Sequence, residues 1–178
     1  MKPLDPRLLQ RFVTLAGERL KGDWVVIGGA VLPLLGVAHR TTLDIDVAGP
    51  DEADMGQMLA LIVIAEEIGL SAAGINPAGS HFLRLVEDWP DHLIVVHRGS
   101  SATIHVPDAT LYLLLKLRRL SESDLLDAVR MIALAEERGE AIDAARVRNA
   151  AVQALDAAPS APRRSRLQEL VRRLPDAG

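Results

Sequence analysis

The chain has 178 residues, of which 49% are apolar and 25% charged, the balance of an ordinary globule rather than a disordered chain. It holds no Cys, which excludes disulfides, thiolate metal sites and cysteine nucleophiles. A formal net charge of −4 argues against a non-specific electrostatic grip on nucleic acid. The longest apolar run, near residues 59–65, falls well short of the roughly 20 residues a membrane span needs. The first residues lack the apolar core of a signal peptide, so the sequence reads as cytoplasmic with no membrane partner.

Leu8, Leu9, Phe12, Leu15, Ala16 and Leu20 recur at helical spacing and predict an amphipathic helix over 5–21. Trp24-Val25-Val26-Ile27 predicts a buried strand ended by Gly28-Gly29, and Ala30 to Gly36 a short helix with Pro33 in its first turn. Thr42 to Val47 alternates with period two, a second strand. Asp51 is the expected N-cap of a helix running to Ile68, with Gly69 at its end. Residues 71–80 read as a loop, and His81–Val86, Leu93–His97 and Thr103–Val106 as three short strands.

Pro107-Asp108 then opens an apolar helix through Leu120. Ser121 and Asp124 resemble a capping pair for a helix to Arg138, with Gly139 after it. A further helix covers 142–157. Residues 158–162 form a linker, and a short basic stretch to Leu174 closes the pattern. The order predicts an α/β (α+β) fold: a small mixed sheet flanked by helices within the first 107 residues, and an all-helical remainder. By domain, residues 1–140 are expected to carry the function and 141–178 to form a helical C-terminal extension with a basic tail.

The segment 24–47 carries the chemistry. Glycines at the end of a strand let a phosphate approach the backbone closely, and the N–H groups that follow present an anion site. Asp44 and Asp46, two apart on a strand, share a face, and two such carboxylates call for a cation between them. Oxygen donors with no thiolate nearby suit Mg²⁺ or Mn²⁺. A phosphate cradle facing a carboxylate pair is an arrangement for metal-dependent phosphoryl transfer.

Gly28-Gly29, a helix, then Arg40-Thr41-Thr42 and Asp44-x-Asp46 resemble the signature of the DNA polymerase beta nucleotidyltransferase superfamily. Within it the chain is most similar to small prokaryotic enzymes related to the AbiEii-type toxins of type IV toxin–antitoxin systems. That likeness extends to Lys116 in Leu113-Leu114-Leu115-Lys116-Leu117 and to Asp124-Leu125-Leu126-Asp127, and covers residues 20–135. The resemblance implies a nucleotidyltransferase fold. It implies an NTP held by Gly28 and Gly29, metals bound by Asp44 and Asp46, and Lys116 reaching the phosphates. Arg40 with Thr41 or Thr42 would support the pocket, and Asp127 would orient groups near it. The family's third carboxylate, the general base, lies on a later strand; Asp91 is the candidate, with Glu87 and Asp88 as alternatives. Ser123 stands where the family often has a basic residue before Asp-Leu-x-Asp.

Each feature alone also has an ordinary reading: Gly-Gly as a tight turn, Asp-x-Asp as an exposed strand face, Lys116 as a snorkelling lysine. A dinucleotide site would need G-x-G-x-x-G, which Gly28-Gly29-Ala30 does not supply. The five histidines show no zinc spacing. His97 and His105 read as packed or solvated histidines, with a pair facing across a hairpin as the alternative, and the arginines at 163–166 and 172–173 would either touch RNA or line a solvated helix.

The expected activity is transfer of a nucleoside monophosphate from an NTP to a hydroxyl or phosphate acceptor. The toxin branch adds tRNA or a protein as acceptor and a cognate antitoxin as partner. The alternative is a catalytically degenerate fold that binds nucleotide or regulates a partner, motivated by the missing clear third acid. A third reading is a module whose helical half, 108–157, docks another protein.

Overall fold

The computed structural model describes residues 5–37, 44–50, 54–157 and 159–175. The chain forms two compact units, residues 1–107 and 108–178. The division falls where the strands end and the helices take over.

In the first unit, helix α1 (Pro6–Arg19) starts at Asp5, whose carboxylate accepts from Leu8 N at 2.8 Å, and buries Leu9, Phe12, Val13 and Ala16. Strand β1 (Gly22–Ile27) is followed by a 3₁₀ turn, Gly28–Ala30, and the four-residue helix α2 (Val31–Leu34). Strand β2 (Ile45–Ala48) comes next, then α3 (Met55–Glu67), β3 (Ile75–Asn76), α4 (Gly79–Leu83), β4 (Leu93–Arg98) and β5 (Ala102–Pro107). The sheet order is β3-β2-β1-β5-β4. β1 runs parallel to β5 and antiparallel to β2, β2 parallel to β3, and β4 antiparallel to β5. The sheet is therefore mixed and flanked by helices, as the sequence pattern predicts.

Several local expectations are corrected. The N-cap of α3 is Asp54, whose carboxylate accepts from Gln57 N at 3.0 Å; Asp51 lies outside the described residues. His81–Val86 is not a strand: α4 occupies Gly79–Leu83, and Leu83 is buried while Phe82 and Leu85 stay exposed. This helix sits directly on β2, since a Cβ at Gly79 would stand 2.6 Å from Val47 O. His97 does not oppose His105. A register shift between Val95 and His97 pairs His105 with Val95 and His97 with Ile104.

The second unit holds α5 (Ala109–Leu117), α6 (Glu122–Arg138), α7 (Ala144–Asp156) and α8 (Ala161–Arg173). Leu113, Leu117, Ala128, Ile132, Val147, Leu167 and Leu170 interlock in one core shared by all four helices. Side-chain N-caps at Asp108, Ser121 and Asp143 fix where α5, α6 and α7 begin. Ser121 and Asp124 form the expected reciprocal capping box, and Gly139, with φ 65°, ends α6 in the left-handed conformation.

Candidate active site

Register puts Ile27, the last residue of β1, opposite Asp46 of β2. Ile45 and Val47 point into the core at 0% and 1% exposure, so the alternation turns Asp46, half-buried, to the other face. Gly28 follows with φ 72°, a conformation that glycine adopts without penalty. A Cβ at Gly28 would stand 2.5 Å from Asp46 Oδ2, so only a residue without a side chain lets this turn lie against this carboxylate. Gly29 continues the turn, half-buried. Asp44 stands one residue ahead of β2 and is exposed. Arg40, Thr41 and Thr42 lie outside the described residues.

Sequence reasoning missed Asn76. It pairs with Asp46 across β2 and β3, and its amide donates to Asp46 Oδ1 at 2.8 Å. Its own carbonyl oxygen accepts from Ala78 N at 3.1 Å, which fixes the amide's orientation. One carboxylate oxygen of Asp46 is thus tied to β3 while the other faces the glycine turn.

Asp91 is not brought to this place. It is exposed and belongs to a 3₁₀ turn, Trp89–His92, that leads into β4. β4 is the edge strand, three strands from β2, which at ~4.8 Å per strand puts about 14 Å of sheet between them. Asp88, in the same approach to β4, lies 3.4 Å from His92 Nε2, and Glu87 is exposed. Among the described residues no group of three or more His, Asp or Glu side chains gathers as metal ligands would.

The second unit joins the other two expected residues to each other. Lys116 is 8% exposed, and its Nζ lies 2.9 Å from Asp127 Oδ2 and 3.0 Å from Asp124 Oδ1. The ammonium also sits 5.4 Å from the ring centre of Tyr112. Arg119 grips Asp124 with two hydrogen bonds, Nε to Oδ2 at 2.8 Å and Nη2 to Oδ1 at 3.1 Å. Burial opposes the charge on Asp124, but hydrogen bonds from Arg119, Lys116 and Ser121 and the Lys116 charge outweigh it. They hold its carboxyl well below the usual range. Asp127 is fully buried. The apolar helix that carries Lys116 and the Asp-Leu-x-Asp start of α6 are thereby clamped together.

The basic tail is turned inward in part. Arg163 Nη2 donates to the carbonyls of Leu117 and Arg118, and Arg166 Nε to that of Leu120 at 2.6 Å. The carbonyls of Leu117 and Arg118 are at the end of α5, where cationic donors are favourable, and that of Leu120 lies in the turn that follows. Arg172 and Arg173 pair with Glu169.

A mixed sheet of this order, with a left-handed glycine after β1 laid against an acid of β2, is a nucleotidyltransferase-like fold. The chain belongs to a family described as nucleotidyltransferase of unknown function (DUF6036), whose profile matches residues 7–174 and so spans both units. Searches of curated proteins and of solved structures find no match. No helix among the described residues is long and apolar enough to cross a membrane.

Proposed function

We propose that the protein transfers a nucleoside monophosphate from an NTP to a hydroxyl or phosphate acceptor with the help of Mg²⁺ or Mn²⁺, releasing pyrophosphate. The observation that carries this reading is the approach of Gly28 to Asp46 Oδ2. The turn without a side chain would seat the triphosphate, and Gly29 would extend it. Asp44, two residues from Asp46, returns to the same face of an extended chain and would share the ion.

The donor set suits such an ion. Mg²⁺ needs one or two protein carboxylates and fills its remaining positions with water and substrate phosphates. An ion held there would offset charge on the transferring phosphate and lower the pKa of the incoming hydroxyl. Asn76 serves as a positioning residue, holding Asp46 Oδ1 so that Oδ2 stays turned toward the glycines. The resemblance assigns the phosphates also to Arg40, Thr41 or Thr42, and Lys116, with Asp127 orienting groups near the site. The AbiEii-type branch, a toxin-like role, tRNA or a protein as acceptor, a cognate antitoxin and a cytoplasmic setting rest on sequence alone.

The test is pyrophosphate release from each of the four NTPs with Mg²⁺ or Mn²⁺. The double variant Asp44→Ala, Asp46→Ala abolishes it under this proposal; turnover that survives refutes the assignment.

One observation favours a second reading, in which the fold binds nucleotide without turning it over: Asp91 stands about three strands from Asp46 rather than beside it. Calorimetry separates the two. NTP binding without pyrophosphate release supports the non-catalytic protein.

A further inference from the structure

The face of the sheet that carries Asp46 also carries a cavity of about 340 Å³, within the size range of small-molecule sites. Its strand lining comes from Asp23 and Val25 of β1, Ala48 of β2 and Leu93 of β4. By register all four share the face of Asp46: Ile27 pairs with Asp46, Val25 with Ala48 and with His105, and Val95 with His105, two residues on from Leu93. Arg84 and Trp89, beyond α4, close the other side. The cavity begins at Ala48, two residues from Asp46, or about 7 Å along β2.

Gly28 lies at the far end of β1 from Asp23. If the glycine turn seats the pyrophosphate portion and Asp46 marks the reacting phosphate, the cavity lies on the opposite side of that phosphate from the leaving group. An in-line displacement requires its nucleophile there.

We infer that this cavity is the acceptor site, and that it takes a small hydroxyl compound with a flat body and an acidic group. The inference rests on the nucleotidyltransferase reading above. Trp89 and the apolar walls of Val25, Ala48 and Leu93 receive the flat body. Arg84 already engages a partner within the chain, and the further N–H donors of its five-donor guanidinium receive the acid. Asp23 stands at the rim, 75% exposed, and its carboxylate is oriented by His105 Nε2 at 3.1 Å, ready to accept from a hydroxyl or amine. A volume of about 340 Å³ holds a small molecule. In the reaction the acceptor oxygen bonds the α-phosphorus, the bond from that phosphorus to the α,β-bridging oxygen breaks, and pyrophosphate leaves with the electron pair. The hydroxyl proton passes to solvent.

The experiment incubates the full chain with Mn²⁺, α-labelled NTP and 4-hydroxyphenylacetate or L-tyrosine as probe acceptors, against total RNA and a protein extract. Labelled small product is expected from a probe. Arg84→Ala and Trp89→Ala, both at positions with solvent exposure, are expected to raise the probe's KM at least tenfold while the NTP Kd by calorimetry changes less than twofold. Thermal melting confirms that each variant is folded, and Asp23→Asn provides a third route to the same readout. Label confined to RNA or protein, or no label in any acceptor while pyrophosphate is released to water, overturns the inference. So does equal weakening of NTP binding by both variants, which would make the cavity the nucleobase site. Absence of NTP binding in the unmodified chain would instead refute the nucleotidyltransferase reading itself.

Discussion

Gly28 and Asp46 sit so close that a methyl group on the first would stand 2.5 Å from Oδ2 of the second. The closeness follows from topology: antiparallel β1 and β2 put Ile27 opposite Asp46, so the residue after β1 turns over the carboxylate. Gly28→Ala therefore meets two obstacles, a backbone at φ 72° and a clash with a polar side chain. Gly69→Ala, at φ 80° with nothing within 4 Å of its Cβ, meets only the first. Thermal unfolding is expected to show about 1 kcal/mol lost for Gly69→Ala and 2 kcal/mol or more for Gly28→Ala, the range for strained backbone positions. Only the Gly28 variant should lose NTP binding.

Asn76→Ala frees Asp46 Oδ1 from its 2.8 Å hydrogen bond. A positioning role predicts a higher Mn²⁺ concentration for half-maximal pyrophosphate release and a fall in kcat of about tenfold, the effect typical of residues that orient metal ligands. Asn76→Asp should do worse than alanine, because it sets a second negative charge against the carboxylate. Equal Mn²⁺ dependence in all three proteins would leave Asn76 a purely structural residue.

Lys116→Met leaves Asp127, fully buried, and Asp124 without the ammonium between them. Removing one partner of a buried ion pair costs about 3–5 kcal/mol, a large share of a domain's stability. Arg119→Ala should cost far less, since that guanidinium is 75% exposed and screened by water. Denaturant titration of the two variants measures the difference.

The pH dependence has a definite sign. The folded pKa of Asp124 is held below its unfolded value, so the folded state gains stability wherever the carboxyl is ionised in both states. That contribution is present at neutral pH. It begins to be lost as pH falls through the unfolded pKa near 4 and continues to fall toward the lower folded pKa. Unfolding midpoints measured from pH 7 down to pH 3 should drop more steeply for the native chain than for Asp124→Asn.

Arg163 and Arg166 reach from α8 to carbonyls at the end of α5 and in the turn after it. Replacing both with Ala removes donors from those carbonyls and should lower stability by about 1–3 kcal/mol. RNA binding, measured by filter retention, should be no weaker for that variant than for the exposed change Arg164→Ala.

The strand–Gly–Gly–strand order and the Asp46 alternation were legible because a buried strand and a half-buried one have periods that a short sequence displays. The Ser121 cap was equally readable, and Pro107-Asp108 marked the start of α5, since one side chain satisfies the helix start. Asn76 was hidden for the opposite reason: its strand has two residues, too few for any period, inside a stretch rich in Gly and Pro. Phe82, Leu83, Leu85 and Val86 resemble a strand by composition, yet tight packing of Gly79 on the β2 backbone makes the segment a helix. The arginines of the tail gave charge but no hint of the carbonyls they meet, because that pairing spans 46 residues of sequence. Asp91 follows the same logic, its place being set by the outer position of β4 in the sheet.

The central claim is that Asp46, with Asp44, holds a divalent ion beside the glycine turn. Electron paramagnetic resonance of Mn²⁺ with a non-hydrolysable NTP analogue tests it most directly. Bound Mn²⁺ is expected in the native chain, tightened by the analogue, and lost in Asp46→Asn at unchanged melting temperature. Undiminished Mn²⁺ binding by folded Asp46→Asn would contradict it.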